Sequence, residues 1–258
     1  MKFLIQHNLI NPAHLAAIER ATASYPREFV GCIPFTREIT SNAPLEGADF
    51  IPYGSTLLTT IAASNGWIGL HFDLAKLNYA EFIKHRDDML NERVLPIGDA
   101  VAFLAAQDPN SEWFTRPSQD LKQFSGQVMK AIHIRDWFQD MLQDGEGDYF
   151  VKPDFEVVIS KPKTISAEWR WFVVGGKIVS GSMYRAHGQM RQEQAVDAAL
   201  IAEAQMLADK WLPHDCVVMD TALVGDDVKV IEFNCINASG FYQHDIDAIF
   251  KALWDYHQ

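Results

Sequence analysis

Along about the first ninety residues, apolar and polar positions switch repeatedly between the period of a strand and that of a helix. Phe3 to Leu9 reads as a strand, Asn11-Pro12 opens a helix running through Ala23, and Glu28 to Pro34 reads as a second strand. Asp49-Phe50-Ile51-Pro52 leads into Gly54-Ser55 and an apolar helix from Thr56 to Ala63. Trp67 to Phe72 predicts a further strand, and an amphipathic helix follows from about Tyr79 to Leu90. Such alternation predicts a small parallel sheet covered by helices. Gly54-Ser55 is either a plain capped connection, the commoner case, or a helix end that holds an anion.

From Asp99 the pattern changes to a short helix through Ala106 and then mostly hairpin-like pairs, which places a division between residues 1–98 and 99–258. The strand Glu112 to Thr115 runs into Arg116-Pro117 and a polar stretch ending at Gly126. Trp169 to Val174 and Lys177 to Arg185 flank Gly175-Gly176, a tight turn that pairs Val174 with Lys177 and Arg170 with Gly181. Glu168, Arg170 and Arg185 then share a face, and Gly181 leaves space above Arg170. The last pair, Val217 to Asp220 and Val228 to Asn234, is joined across Gly225-Asp226-Asp227. A loop of those three residues pairs Val224 with Val228 and Ala222 with Val230, and sets Asp220 opposite Glu232. Asn234 lies on the face of Glu232, while Ile231 and Phe233 turn into a core.

Opposed carboxylates repel by roughly 3 kcal/mol at about 5 Å and an effective dielectric near 20. A shared proton or a hard divalent cation offsets that. Magnesium takes one or two carboxylates together with substrate phosphates, so Asp220, Glu232 and Asn234 suit a metal–nucleotide pair; the plain alternative is a solvated sheet face. Arg116 can fork two phosphate oxygens, Lys122 adds a point charge, and Gly126 permits close backbone approach. Two arginines, Arg170 and Arg185, exceed the one carboxylate of Glu168, leaving positive charge for a phosphate.

Composition narrows the class. The 258 residues, 48% apolar and 22% charged, describe an ordinary globular chain with enough length to bury a core. A net charge of -12 argues against nonspecific binding to nucleic acid or to an anionic membrane. Gln6 and His7 interrupt the apolar start too soon for a signal-peptide core, and no run reaches membrane-spanning length, so a cytoplasmic location is expected. Cys32, Cys216 and Cys235 are odd in number and widely spaced, as expected of reduced thiols rather than disulfides or a zinc site.

In their order along the chain, these parts resemble the ATP-grasp ligases, and within them the R2K clade of phages and bacteria, in which an Arg-Pro strand end replaces the usual lysine. The resemblance rests on Phe114-Thr115-Arg116-Pro117 with Lys122-Gln123-Phe124-Ser125-Gly126, Val157-Val158-Ile159-Ser160, Glu168-Trp169-Arg170, Ser182-Met183-Tyr184-Arg185, and Asp220 with Glu232-Phe233-Asn234. It covers roughly residues 100 to 245, and the earlier segment looks like the small α/β domain that commonly precedes the grasp. It implies an α/β (α+β) ATP-grasp fold and an ATP- and Mg²⁺-dependent ligase that joins a small-molecule or peptide carboxylate to an amine through an acyl phosphate. Arg116 and Lys122 would contact the ATP phosphates, the backbone of Val158, Ile159 and Ser160 the adenine edge, and Glu168 the ribose or Arg170. Arg170 and Arg185 would face the transferring phosphoryl group, and Asp220, Glu232 and Asn234 would hold magnesium. Two departures stand out: only Gly126 follows Lys122 in the cover loop, and Asn237-Ala238-Ser239-Gly240 replaces an Asn-Pro-Gly-like turn. A noncatalytic nucleotide-binding regulator or scaffold with this fold is the alternative, and a phosphotransferase halting after the first step is a third reading. The acceptor, the donor acid and the oligomeric state are not legible.

Overall fold

The computed structural model describes residues 1–8, 10–119, 124–143, 151–195 and 197–258. The first sheet is built from β1 (Lys2–Gln6), β2 (Arg27–Cys32), β3 (Ile39–Ser41) and β4 (Phe50–Tyr53) in the order β3-β2-β1-β4. β2, β1 and β4 run parallel, with β3 antiparallel at the edge. Its central strand is apolar on both faces, and Phe3, Leu4 and Ile5 are fully buried, as a strand covered on both sides requires. The covering helices are α1 (Pro12–Ala21) and α2 (Thr56–Asn65). Asn11 caps α1 by accepting from the Ala13 N–H at 2.9 Å.

Two expectations change here. Trp67 to Phe72 forms no strand: Gly69 lies so close to β4 that a side chain there would stand 2.7 Å from the Ile51 Cα, and its N–H bonds the Phe50 carbonyl at 2.9 Å. The helix that begins at Tyr79, α3 (Tyr79–His85), stops early because the next residues are tied down. The buried Arg86 guanidinium grips Asp88 at 2.7 and 2.8 Å and the Leu207 carbonyl at 2.8 Å, and the chain then lies extended along another strand, with Leu90 N–H bonding the Val230 carbonyl at 2.7 Å.

The second sheet comprises β5 (Val94–Pro96), β6 (Glu112–Pro117), β7 (Gln127–Lys130) and β8 (Glu156–Ser160), ordered β5-β8-β6-β7 and antiparallel throughout. Helices α4 (Ile97–Ala105) and α5 (Ala131–Gln143) close its core with Ile134, Phe138 and Met141. The third sheet holds β9 (Ala167–Val174), β10 (Lys177–Ala186), β11 (Gln189–Gln194), β12 (Val217–Val224) and β13 (Asp227–Asn234), ordered β11-β10-β9-β12-β13. Helix α6 (Ala198–Lys210) packs Ala204 and Leu207 on the face carrying Trp169, Trp171 and Met219. Helix α7 (Ile246–Tyr256) packs Ile249, Phe250 and Leu253 between Phe172 and Val218 on the opposite face and Phe3 and Ile5 of the first sheet.

Registers in the third sheet are set by bulges. Across the tight turn at Gly225, Val224 pairs with Asp227 and Ala222 with Lys229, one step from the expected register; a bulge between Asp220 and Thr221 takes up that step and restores Asp220 opposite Glu232. Ile231 is the extra residue and only half-buried, so Val230 fills its expected core position beside Phe233. The β9–β10 turn forms as expected, but a bulge between Ile178 and Ser180 pairs Gly181 with Trp171 and Ser182 with Arg170. Gly181 therefore serves Trp171, not Arg170: a Cβ there would stand 2.2 Å from the indole Cζ3.

The far end of α7 carries an acid-sensitive contact. His71 Nε2 lies 3.1 Å from His257 Nε2, and burial, then the neighbouring His257 and His214, lower its pKa from 6.5 to about 4. The unfolded chain thus takes up a proton that the folded one refuses, and stability present above pH 6.5 is lost as the pH falls toward 4, at about 1.4 kcal/mol per pH unit. Denaturant melts should show His71→Gln flattening the decline of stability between pH 6.5 and 5. Identical slopes would contradict this account.

Candidate active site

Backbone register brings three charged side chains into line across three strands. Asp220 of β12 is paired with Arg170 of β9 on one side and with Glu232 of β13 on the other. Arg170 is bidentate on Asp220, with Nε to Oδ1 at 2.9 Å and Nη2 to Oδ2 at 2.7 Å, and its Nη1 reaches the Gly240 carbonyl at 3.3 Å. Glu232 Oε2 accepts from Arg116 Nη1, which arrives from β6 in the second sheet. Asn234 Nδ2 stands between the acids, 3.3 Å from Asp220 Oδ2 and 3.4 Å from Glu232 Oε1. Each of the opposed carboxylates is thus met by one guanidinium.

Burial raises the Asp220 pKa, and Arg170 only partly offsets it. Burial also works against ionisation of Glu232, but Arg116 and Arg170 outweigh it and hold that carboxyl below its ordinary value. Arg170 stays charged because the Asp220 carboxylate outweighs its own burial.

Beside this row, Glu168 is buried and accepts from Arg185 Nη1 at 3.4 Å, while the Arg185 side chain is 50% exposed. A second bulge, between Met183 and Arg185, brings that pair opposite each other and leaves Tyr184 as the extra residue. Tyr184 is half-buried, and burial together with Asp220 and Glu168 pushes its hydroxyl well above the ordinary tyrosine value. Its ring stacks on Tyr242 at 4.9 Å, and Tyr242 in turn lies 5.1 Å from the Arg170 guanidinium. Sequence reasoning missed both tyrosines. Tyr184 was visible as a neighbour of Arg185 on its strand, whereas Tyr242 carries no local signal.

Val158, Ile159 and Ser160 lie in β8 behind Arg116 and are buried. Val158 is paired with both Val94 and Arg116, and Ile159 N–H bonds the Arg93 carbonyl, so the backbone of these two is taken up inside the sheet. Ser160 ends the strand, with its hydroxyl donating to Asn91 Oδ1 at 2.6 Å. Gly126 packs its backbone against the Phe114 ring, where a Cβ would stand 3.0 Å away. Lys122 lies outside the described residues.

Two cavities meet at Glu232. One, of about 350 Å³, runs from Glu232 past Arg116 to Phe124, Ser125 and Gly126. The other, of about 810 Å³, extends from Glu232, Arg170 and Asn234 to the outer face of α2. Glu232 borders both cavities and Asn234 the larger, with the buried Asp220 directly behind them; the two carboxylates and the amide form an oxygen donor set that suits a hard divalent cation, once the Asn234 amide turns its oxygen inward. Among the described residues no group of three or more His, Cys, Asp and Glu side chains is placed to hold a metal, so a three-donor site here would have to include the amide. No helix among those residues is long and apolar enough to cross a membrane.

The model of the ATP-grasp domain, R2K clade family 3, matches residues 36–253. A search of curated protein sequences finds no match. Solved structures share the fold at low identity. A D-cycloserine synthetase superposes with a TM-score of 0.65 at 11% identity, over 100% of both chains. A RimK domain ATP-grasp protein from Sphaerobacter thermophilus superposes with 0.64 at 15%, over 98% of this chain and 100% of its own. A D-alanyl-alanine synthetase A from Vibrio cholerae superposes with 0.61 at 10%, over 100% and 98%.

Proposed function

Because the chain belongs to the ATP-grasp domain family of the R2K clade, family 3, we propose that it is an ATP- and Mg²⁺-dependent ligase joining a carboxylate to an amine through an acyl phosphate. The observation that carries this reading is the row Arg116–Glu232–Asn234–Asp220–Arg170 at the junction of two cavities. Two proteins of similar structure, a D-cycloserine synthetase and a D-alanyl-alanine synthetase, support bond-forming chemistry. Asp220, Glu232 and Asn234 would hold the cation, which supplies neutralising charge at the phosphate oxygens.

Arg116 binds the triphosphate in the smaller cavity, and Lys122 adds a charge for the phosphates. Arg170 and Arg185 face the group in transfer, Glu168 orients Arg185 and the ribose, and the end of β8 at Ser160 presents the base-binding edge. With cation and nucleotide bound, Asp220 and Glu232 would pair with the cation and Arg116 and Arg170 with phosphate, so no charge would be left without a partner. The substrate carboxylate oxygen attacks the γ-phosphorus and ADP leaves; the amine then attacks the acyl carbon, phosphate leaves, and the amine proton passes to solvent. No protein nucleophile is required, and burial pushes the Cys216 thiol up to about 12. We also place the division between the first unit and the grasp ahead of β5 rather than at residue 98, since β5 pairs with β8.

Incubation with MgATP and panels of carboxylates and amines tests this. ADP release only when both substrates are present is the expected result. MgATP binding with no ADP release across the panels would transfer the assignment to a noncatalytic nucleotide-binding role, and ADP release with the carboxylate alone to a phosphotransferase.

A further inference from the structure

The larger cavity has one charged end and a neutral body. Arg170 and Glu232 are the only charged side chains among the described residues that line it, and both stand at the end shared with the nucleotide side. The body runs between the outer face of α2 and the loop leading to α3, with Leu57, Thr60 and Ala63 on one wall and Phe72, Leu74 and Leu77 on the other. Leu74 is 36% exposed.

α2 is unusual for a helix with a solvent-facing side. Leu58, Ile61 and Ala62 bury one face against the first sheet, yet the opposite face has no acidic or basic residue, where an amphipathic surface helix normally places its charges. Three of its four hydroxyls are also spent on the helix itself. Thr59 and Thr60 donate to the Thr56 carbonyl, each at 2.9 Å, and Ser64 donates to the Thr60 carbonyl at 3.1 Å. The wall therefore offers methyl groups and acceptor lone pairs but no free side-chain hydroxyl hydrogen from these three residues. A carboxylate placed against Thr60, Ala63 and Ser64 would lose water without gaining a side-chain donor from them.

We infer that this cavity selects a substrate with an uncharged, apolar body, an aliphatic or aromatic amino acid or a short peptide of such residues, whose reacting end lies at Arg170 and Glu232. Its volume of about 810 Å³ lies in the range of cavities that enclose drug-sized ligands, which favours a dipeptide-sized body over a single small residue. The inference rests on the ligase reading for the identity of the occupant, and adds the class of side chain that the occupant carries.

The test is equilibrium binding to the full chain in the presence of MgADP, using leucyl-leucine, phenylalanyl-leucine, leucyl-glutamate and glutamyl-glutamate. The two apolar dipeptides should bind at least about tenfold more tightly than glutamyl-glutamate. Ala63→Glu, at an exposed position of α2, should weaken the apolar pair by at least about tenfold and leave MgATP affinity within about twofold of the parent. Ala63→Leu, which enlarges the side chain without charge, should keep the preference for apolar ligands. Equal or tighter binding of glutamyl-glutamate, no binding of either apolar dipeptide, or indifference to Ala63→Glu would each overturn the inference. MgATP binding and the two-substrate dependence of ADP release, measured on the same preparation, judge the ligase reading separately.

Discussion

Glu232→Gln is expected to reduce MgATP-dependent turnover by about 10²-fold or more while leaving the melting temperature within a few degrees of the parent. Glu232 is the one carboxylate that borders both cavities, and its side chain is 20% exposed, so a cation or phosphate reaches it without unfolding. The amide keeps an oxygen able to accept from Arg116 Nη1, so this guanidinium retains a partner from β13. The ion pair is weakened, but so is the repulsion from Asp220 directly across the strand pair. These opposing effects make folding nearly indifferent. Turnover has no such compensation, because a neutral amide is a poorer ligand for a hard cation than a carboxylate. Parallel measurements of kcat/KM and of thermal melting decide the matter, and losses of stability and activity in step would remove Glu232 from the proposed metal site.

What the sequence makes legible depends on how local the determining contact is. Asp220 faces Glu232 through one hairpin, and the opposition is readable although the expected turn is one residue too long, because a bulge at Ile231 cancels the slip. No such cancellation occurs on β10, where the bulge before Ser180 moves Gly181 off Arg170 and onto Trp171. Bulges answer to packing on both faces of a sheet, and an indole that needs the space of a missing Cβ is not visible from strand periodicity. The partner of Glu232 is further still: Arg116 is 116 residues away on another sheet, so the guanidinium that meets the acid cannot be read from the hairpin. Helices α5, α6 and α7 were obscured differently. Ile134, Phe138 and Met141 do recur at helical spacing in α5, but adjacent strand pairs dominate the pattern of that region.

Asn237→Ala is expected to destabilise the protein by about 3 kcal/mol or more and to lower its melting temperature by roughly 6–12 °C. The side chain has no solvent exposure, and all of its capacity is used between the first and third sheets. Nδ2 donates to the Pro52 carbonyl at 2.8 Å and to the Gly69 carbonyl at 2.9 Å, and Oδ1 accepts from His71 N–H at 2.8 Å. Truncation leaves two buried carbonyls without their partner, each worth about 1–3 kcal/mol when unsatisfied, and takes the acceptor from the half-buried His71 N–H. Asn237→Asp keeps the shape and the acceptor but turns an oxygen toward two carbonyls, so it should be at least as unstable at pH 7. Asn237 also follows Asn234 by three residues and precedes Gly240, whose carbonyl receives Arg170, and Tyr53 bonds the intervening Ser239 carbonyl. Loosening this loop moves the proposed metal ligand Asn234 and a support of Arg170 together. Stability and MgATP affinity should therefore fall together in Asn237→Ala, the reverse of the separation expected for Glu232→Gln, and a fully stable Asn237→Ala protein would show that the packing of α7 joins the two sheets without this amide.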